Sequence, residues 1–340
     1  MPDLPDRVRL VVLFGGRSAE HEVSCISAGS VLGAVDRDRY EVTAVGITKE
    51  GRWVLAEDGP PPLVPDGPEI DPLKAVALGD VVFPILHGPL GEDGTVQGLL
   101  EVAGVPYVGC GVLASALAMD KAAAKLVLAA AGIPQVPSVA IRHGLGGSVS
   151  DDLGWPRFVK PANMGSSVGV SKVQSVAELA SAMEQAFLYD EWVVVEHGVT
   201  AREVECAVLG GLEPQATALG EIVPKAEFYD YDDKYSGQGA DLFVPADLPE
   251  SVHEEGRRLA IAAFQSLRCD GLARVDFFYE EGGRGLLLNE VNTMPGFTPY
   301  SMYPQLWAHA GVSYPALIDR LVALALERHD RRSAHTGRTR

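Results

Sequence analysis

The sequence predicts an α/β (α+β) protein with a parallel unit at its N-terminal end and antiparallel sheet beyond it. Three observations carry this reading. Strand and helix signals alternate over the first third of the chain. In the middle, three strand signals follow one another with no helix between them. Near the C-terminal end, two strand signals flank the turn EEGGRG, which marks a hairpin.

In chain order, 9–14 is a short apolar strand, Gly15–Gly16 a turn and 22–35 a helical pattern. Strands follow at 42–47 and 81–86, and ligands bind beside the carboxyl ends of such strands. The stretch 57–72 holds six prolines and several acids, so it is expected as a surface connection. The charge-free run 102–119 has near-membrane length, but Gly104, Pro106, Gly109 and Gly111 interrupt it, leaving a strand, a turn and a helix start. One helix is expected over 113–131, stopped by Gly132 and Pro134. A strand ending near Lys160 leads through a Gly/Ser loop to a helix at 176–188, with Ser175 and Glu178 in capping-box spacing. Strands are expected at 192–196, 203–209 and 215–222, a helix at 251–267, the hairpin at 273–279 and 286–291, and a last helix at 314–328. The tail RHDRRSAHTGRTR shows no periodicity and is expected to be disordered.

The chain has 340 residues, 47% hydrophobic and 22% charged, enough for two or three packed units. Its formal charge of −18 argues against nucleic acid and anionic membrane as partners, but not against a small anion met by a local basic cluster. Lysine is scarce, with eight against twenty arginines and none after Lys234. The four cysteines are far apart without CxxC spacing, as in a reduced cytosolic protein. The apolar run near the N-terminus is too short for a signal-peptide core, so a cytoplasmic location is expected.

Arg274 and Asp276 share one face of the first hairpin strand by the period of two, and Leu288, Glu290 and Asn292 one face of the second. With those faces matched, Asp276 lies close to Glu290 and Asn292, a hard-oxygen set suited to magnesium carrying polyphosphate. A half-exposed hairpin with ordinary surface charges would hold the same residues. In FVKPANMGSSVGVSKV a strand delivers Lys160 before a loop of Gly165, Ser166, Ser167 and Gly169, whose N–H groups could approach phosphate. No Gly-Lys dipeptide occurs, so this is not a Walker A loop, and a flexible connection would look similar. Gly109, Gly111 and Ala114 spell GxGxxA, yet the acid that a dinucleotide site needs about 20 residues later is missing. GGRSAEHEVS, with Glu20, His21 and Glu22, and HGPLGEDG, with His87, Glu92 and Asp93, are polar loops suited to substrate capture. His87 alone could equally be a structural hydrogen-bonding histidine. EFYDYDDKYSG has Tyr235 where a calcium loop needs glycine; it reads as a lid or as a loop packed by its own aromatics.

Taken together, FGGRSAEHEVS, HGPLGEDGTVQG, MDKAAAK, VKPANMGSSVGVSKV, EFYDYDDKY, ARVDFF and NEVNTMPGFTPYSMYP, in this order, resemble the D-alanine–D-alanine ligases of the ATP-grasp superfamily. The resemblance implies three domains, at 1–120, 121–213 and 214–328, with ATP clamped between two sheets and the tail 329–340 outside them. It implies that Lys121, Lys160 and Ser167 contact ATP, that Glu196 and Glu203 lie at the adenosine, and that Lys234 reaches the γ-phosphate. Asp276, Glu290 and Asn292 would hold magnesium, two ions in all, with manganese as a substitute. Arg274 and the N–H of Gly296 would stabilise an oxyanion, Glu20 the first ammonium group, His87 the first substrate and Ser301 the second carboxylate. Ser166, Tyr235 and Glu20 would close the lid. The intact Tyr235 implies a dipeptide product rather than D-alanyl-D-lactate, and the family implies a homodimer. A NAD-dependent oxidoreductase, drawing on GxGxxA, leaves the hairpin and the lysine loop unexplained.

Overall fold

A computed structural model describes residues 6–145, 149–225 and 240–335 and places their strands in three sheets. The first contains β1 (Val8–Gly15), β2 (Tyr40–Ile47), β3 (Trp53–Leu55) and β4 (Val81–Pro84), in the order β3-β2-β1-β4. β1 runs parallel to β2 and β4, as the alternation of signals requires, while β3 is an antiparallel edge. β1 is apolar almost throughout because both faces are covered. Leu10, Val12 and Phe14 face α1 (His21–Ala34), whereas Val11 and Leu13 face α2 (Pro72–Val76) and α3 (Thr95–Ala103). The proline-rich stretch is more than a surface connection. Leu63 is buried in the core under α1, and its N–H donates to Cys25 O.

The helix expected over 113–131 is two helices, α4 (Val112–Met119) and α5 (Lys121–Ala130). Asp120 takes an extended conformation between them, and its carboxylate accepts from Ala123 N–H at 2.9 Å. An N-cap inside an apolar run thus redirects the chain. The second sheet, in the order β5-β8-β6-β7, is antiparallel and joins β5 (Ser138–Arg142), β6 (Arg157–Pro161), β7 (Ser171–Val173) and β8 (Trp192–His197). It is covered by α6 (Val176–Ala186), where Ser175 caps Glu178 N–H and the Glu178 carboxylate reaches back to Gln174 N–H.

The third sheet, also antiparallel, runs β11-β10-β9-β12-β13 through β9 (Arg202–Gly210), β10 (Gln215–Pro224), β11 (Ala240–Phe243), β12 (Gly271–Glu280) and β13 (Gly285–Asn292). The middle strands therefore divide between two sheets, since β8 belongs to the second and β9 to the third. The boundary expected at 213/214 falls between β9 and β10, which pair with each other. One face of this sheet packs on α7 (Glu250–Ser266) through Val204, Cys206, Val275 and Phe277. The other packs on α8 (Met302–His309) and α9 (Tyr314–Ser333) through Ala207, Leu209 and Leu272. The same cluster includes the α1 side of the first sheet, so α9 joins the two ends of the chain.

The tail expected to be disordered is helical as far as Ser333. Arg328 is buried and donates to Gly109 O and Tyr107 O, while Arg331 pairs with Asp270 at 2.7 Å and Arg332 pairs with Glu101. Partners distant in sequence hold these arginines, which composition alone could not reveal. Gly109 serves the same contact: Gly271 approaches it so closely that a Cβ on Gly271 would lie 3.2 Å from Gly109 Cα. GxGxxA is thus a packing turn. Among the described residues no helix is long and apolar enough to cross a membrane.

Candidate functional site

Loops after β1 and β4, the Gly/Ser loop after β6, and one end of the third sheet bring most of the expected residues together. Glu20 stands before the first turn of α1 and is 8% exposed. Its Oε1 accepts from Ser166 Oγ. A Cβ on Gly88 would lie 2.5 Å from Glu20 Oε2, and one on Gly165 2.9 Å away, so two glycines form the slot that admits this carboxylate. Ser166 and Ser167 have φ of 48° and 59°. Two consecutive left-handed residues with side chains cost roughly 1–2 kcal/mol each. Strain of this kind gathers at functional loops, and such turns form anion-binding concavities.

His87 is buried, and both of its ring nitrogens are engaged. Nδ1 donates to Met294 O at 2.9 Å, which leaves Nε2 to accept from Ser27 Oγ at 3.1 Å. Burial lowers its pKa, against the attraction of Glu20, so the ring is neutral. In the same loop Glu92 accepts from Gly88 N–H at 2.8 Å and Met294 N–H at 3.1 Å. Desolvation, and then the charge of Glu20, push the Glu92 carboxyl up to about 8.

A second group surrounds Glu196, which is almost fully buried. Its two oxygens meet Lys160 Nζ at 2.7 Å and Lys125 Nζ at 2.8 Å. Burial opposes the charge, but the two lysines outweigh it and hold the carboxyl at about 2. Lys160 also reaches Asn289 Oδ1 at 3.4 Å; burial lowers its pKa, and Glu196 more than offsets that. Lys121, one helical turn before Lys125, donates to Met164 O at 2.7 Å and lies 3.5 Å from Glu290. With both oxygens on lysines, Glu196 orients these cations. Glu203 is exposed on the neighbouring strand, and its charge bears on Lys160.

The hairpin pairs as the spacing predicts, with Asp276 opposite Glu290 and Arg274 opposite Asn292. Asn292 Nδ2 donates to Asp276 at 2.9 Å. Leu288 departs from the expectation: it faces the core opposite Phe277, because a bulge at Asn289 shifts the register below Glu290. On the far side Asp276 lies opposite Glu205, a buried carboxylate missed in the sequence reading. Arg274 bridges this row, binding Asp276 through two hydrogen bonds of 2.8 Å and lying 3.0 Å from Glu205. Burial lowers its pKa, but the carboxylates raise it well above its usual value. Among the described residues no three His, Cys, Asp or Glu side chains converge on one point. The donors that suit a hard dication are two cross-strand carboxylates and an amide, and Asp276 already attracts positive charge through Arg274.

Gly296 and Ser301 also meet. A Cβ on Gly296 would lie 3.2 Å from Ser301 Oγ, which bonds Thr298 N–H and Oγ1. Ser301 precedes α8 without capping its N–H groups, the condition in which a helix start attracts a carboxylate. Lys234 and Tyr235 lie outside the described residues. The additions are Lys125 and Glu205, while Glu92, already read in a polar loop, gains two backbone partners. Lys125 stands at i+4 from Lys121 in MDKAAAK, and Glu205 at i+2 from Glu203, spacings that were legible.

The arrangement joins a carboxylate slot, a lysine cluster, an acidic row and an uncapped helix start. Comparisons with known proteins agree with that combination. The model described as D-ala D-ala ligase N-terminus matches residues 9–110, and that described as D-ala D-ala ligase C-terminus matches 127–323. The D-alanine–D-alanine ligase of Acetivibrio thermocellus is 45% identical, over 96% of this chain and 97% of that protein. That of Geobacillus kaustophilus is 46% identical, over 97% and 98%. Among solved structures, the D-alanine–D-alanine ligase from Coxiella burnetii superposes with a TM-score of 0.84 at 34% identity, covering 97% of each chain. The VanG D-Ala:D-Ser ligase from Enterococcus faecalis gives 0.80 at 34% identity, covering 94% of this chain and 99% of that one. With the fold, the order of the motifs and near full-length similarity in agreement, the chain belongs to the D-alanine–D-alanine ligase family of the ATP-grasp superfamily.

Proposed function

We propose that the protein joins two D-alanine molecules into D-alanyl-D-alanine, converting ATP to ADP and phosphate and supplying peptidoglycan precursor synthesis. The observation that carries this reading is a cluster of three lysines beside the hairpin of the third sheet: Lys121 lies against Glu290, Lys160 reaches Asn289, and Lys125 joins Lys160 on Glu196. A cation cluster beside hard-oxygen donors suits a polyphosphate, and the Glu20 slot suits an ammonium group.

A carboxylate is a poor electrophile for an amine. One carboxylate oxygen of the first D-alanine therefore attacks the γ-phosphorus, the bond to the β,γ-bridging oxygen breaks, and ADP leaves. The amine of the second D-alanine then attacks the acyl carbon, phosphate departs, and the nitrogen loses its proton. Glu20 holds the first ammonium, with Ser166 fixing its carboxylate and His87 supporting the adjoining loop. Arg274 and Gly296 N–H meet the oxyanion, where preorganised donors are worth most. Ser301 and the start of α8 receive the second carboxylate. Lys121, Lys160 and Ser167 bind the nucleotide, with Glu196 orienting the lysines and Glu203 beside the adenosine. Asp276, Glu290 and Asn292 hold magnesium, which when bound offsets the charge of the phosphates; two ions, with manganese as a substitute, complete the set. By the resemblance Lys234 reaches the γ-phosphate, and the retained Tyr235 supports the dipeptide over the ester. The resemblance supports a homodimer, and the reduced cysteines a cytoplasmic location.

The test is phosphate release with D-alanine, L-alanine, or D-alanine plus D-lactate, with the product identified by mass. Release with D-alanine and a dipeptide product are expected. Silence with D-alanine, or preferential ester formation, overturns the reading.

A further inference from the structure

The loop carrying Gly296 is held by side chains from the opposite end of the chain. Met294 N–H donates to Glu92 Oε2 at 3.1 Å, and Met294 O accepts from His87 Nδ1 at 2.9 Å, so both polar groups of one residue are pinned. Pro295 follows, with its φ fixed by the ring and no N–H of its own. Little torsional freedom therefore separates the pinned residue from the N–H of Gly296. The other oxygen of Glu92 accepts from Gly88 N–H at 2.8 Å. Gly88 is the residue whose missing Cβ makes room for Glu20. One carboxyl group thus ties the wall of the Glu20 slot to the turn leading into Gly296.

We propose that Glu92 is a positioning residue that fixes the separation between the Glu20 carboxylate and the Gly296 N–H. The inference rests on the ligase reading above. In an α-amino acid the ammonium and the carboxyl group are one carbon apart, so two anchors that grip both ends must keep a fixed spacing. Oxyanion donors act at 2.7–3.1 Å, and a displacement of about 1 Å costs on the order of 100-fold in rate. Glu92 touches neither substrate nor nucleotide in this account, and acts only through Gly88 and Met294.

The test uses Glu92→Ala and Glu92→Gln in the full-length chain. Alanine removes both acceptors; glutamine keeps the shape but turns one acceptor into a donor facing an N–H. The expected result is a fall in kcat on the order of 100-fold for the alanine variant, with the KM for ATP unchanged. A phosphinate mimic of the tetrahedral intermediate should lose affinity by the same factor. Should the alanine variant fail to fold, the glutamine variant gives the same readings. A loss confined to thermal stability, with kcat and phosphinate affinity at wild-type values, overturns the proposal. So does a rise in the KM for ATP that matches the loss of kcat. Failure of the ligase reading looks different, because the unmodified protein then releases no phosphate with D-alanine.

Discussion

Glu196 lies out of water yet keeps its charge, because burial, which disfavours the carboxylate, is outweighed by Lys160 and Lys125. Its carboxyl falls from the usual 4.5 to about 2 on folding. Between those values the unfolded chain binds the proton and the folded one does not. The pair therefore adds stability that is fully present above pH 4.5 and is lost as pH falls toward 2. The linkage is on the order of 3 kcal/mol. Glu196→Gln should abolish this increment, so the difference in urea unfolding free energy between wild type and variant should shrink as pH drops from 5 to about 3. At neutral pH the variant should be less stable by about 3–5 kcal/mol, since two buried lysines lose their partner. A difference that stays constant across the acid range would refute the assignment. The resemblance singles out Glu196 and Lys160, and Lys125 follows Lys121 at i+4, but that the three meet was not legible. Pairing of β6 with β8, and the turn of α5 that presents Lys125, are contacts between segments far apart in sequence.

At the scale of elements, the hairpin shows how much the pattern carries and where it misleads. Arg274, Asp276, Glu290 and Asn292 meet as period two requires. Leu288 does not share the face of Glu290, and the sequence hides the reason. Leu286, Leu287 and Leu288 are all buried, so the run carries no alternation from which a phase can be read, and the bulge at Asn289 shows only in the strand pairing. Asp120 is a comparable case. A polar residue in an apolar run, followed by alanines, reads as a helix interior until its side chain is seen capping Ala123 N–H. Because Lys121 opens α5, fraying of that turn should disturb its aim at Glu290. Asp120→Ala should lower stability by about 1 kcal/mol and raise the KM for ATP more than that for D-alanine. Asp120→Asn, which can cap, should restore both. Unchanged nucleotide affinity in the alanine variant would separate the cap from the site.

Across the whole molecule, the net charge of −18 describes the average and hides the arrangement. Acids and bases are sorted, with three lysines gathered around Glu196 and Glu290 and arginines of α9 tied to the stretch 101–109 and to Asp270. The end of the last helix belongs to the fold because its basic residues find carbonyls and acids far away in sequence, at Tyr107, Gly109, Glu101 and Asp270. Arg328 is the strongest of these contacts, lying 4.2 Å over the Tyr107 ring while its two terminal nitrogens donate to Gly109 O and Tyr107 O. Arg328→Ala leaves both carbonyls in a buried setting without that donor, at roughly 1–3 kcal/mol each. Arg332 pairs with Glu101 at the surface, where an ion pair contributes about 0–1 kcal/mol. Arg328→Ala should therefore lower the unfolding free energy by about 2–5 kcal/mol and Arg332→Ala by under about 1 kcal/mol. Neither residue lies in the catalytic cluster, so kcat measured well below the melting temperature should be unaltered in both. Equal and small losses for the two variants would show that the last turns of α9, from Arg328 onward, add little to the fold, as the tail expected from the sequence would.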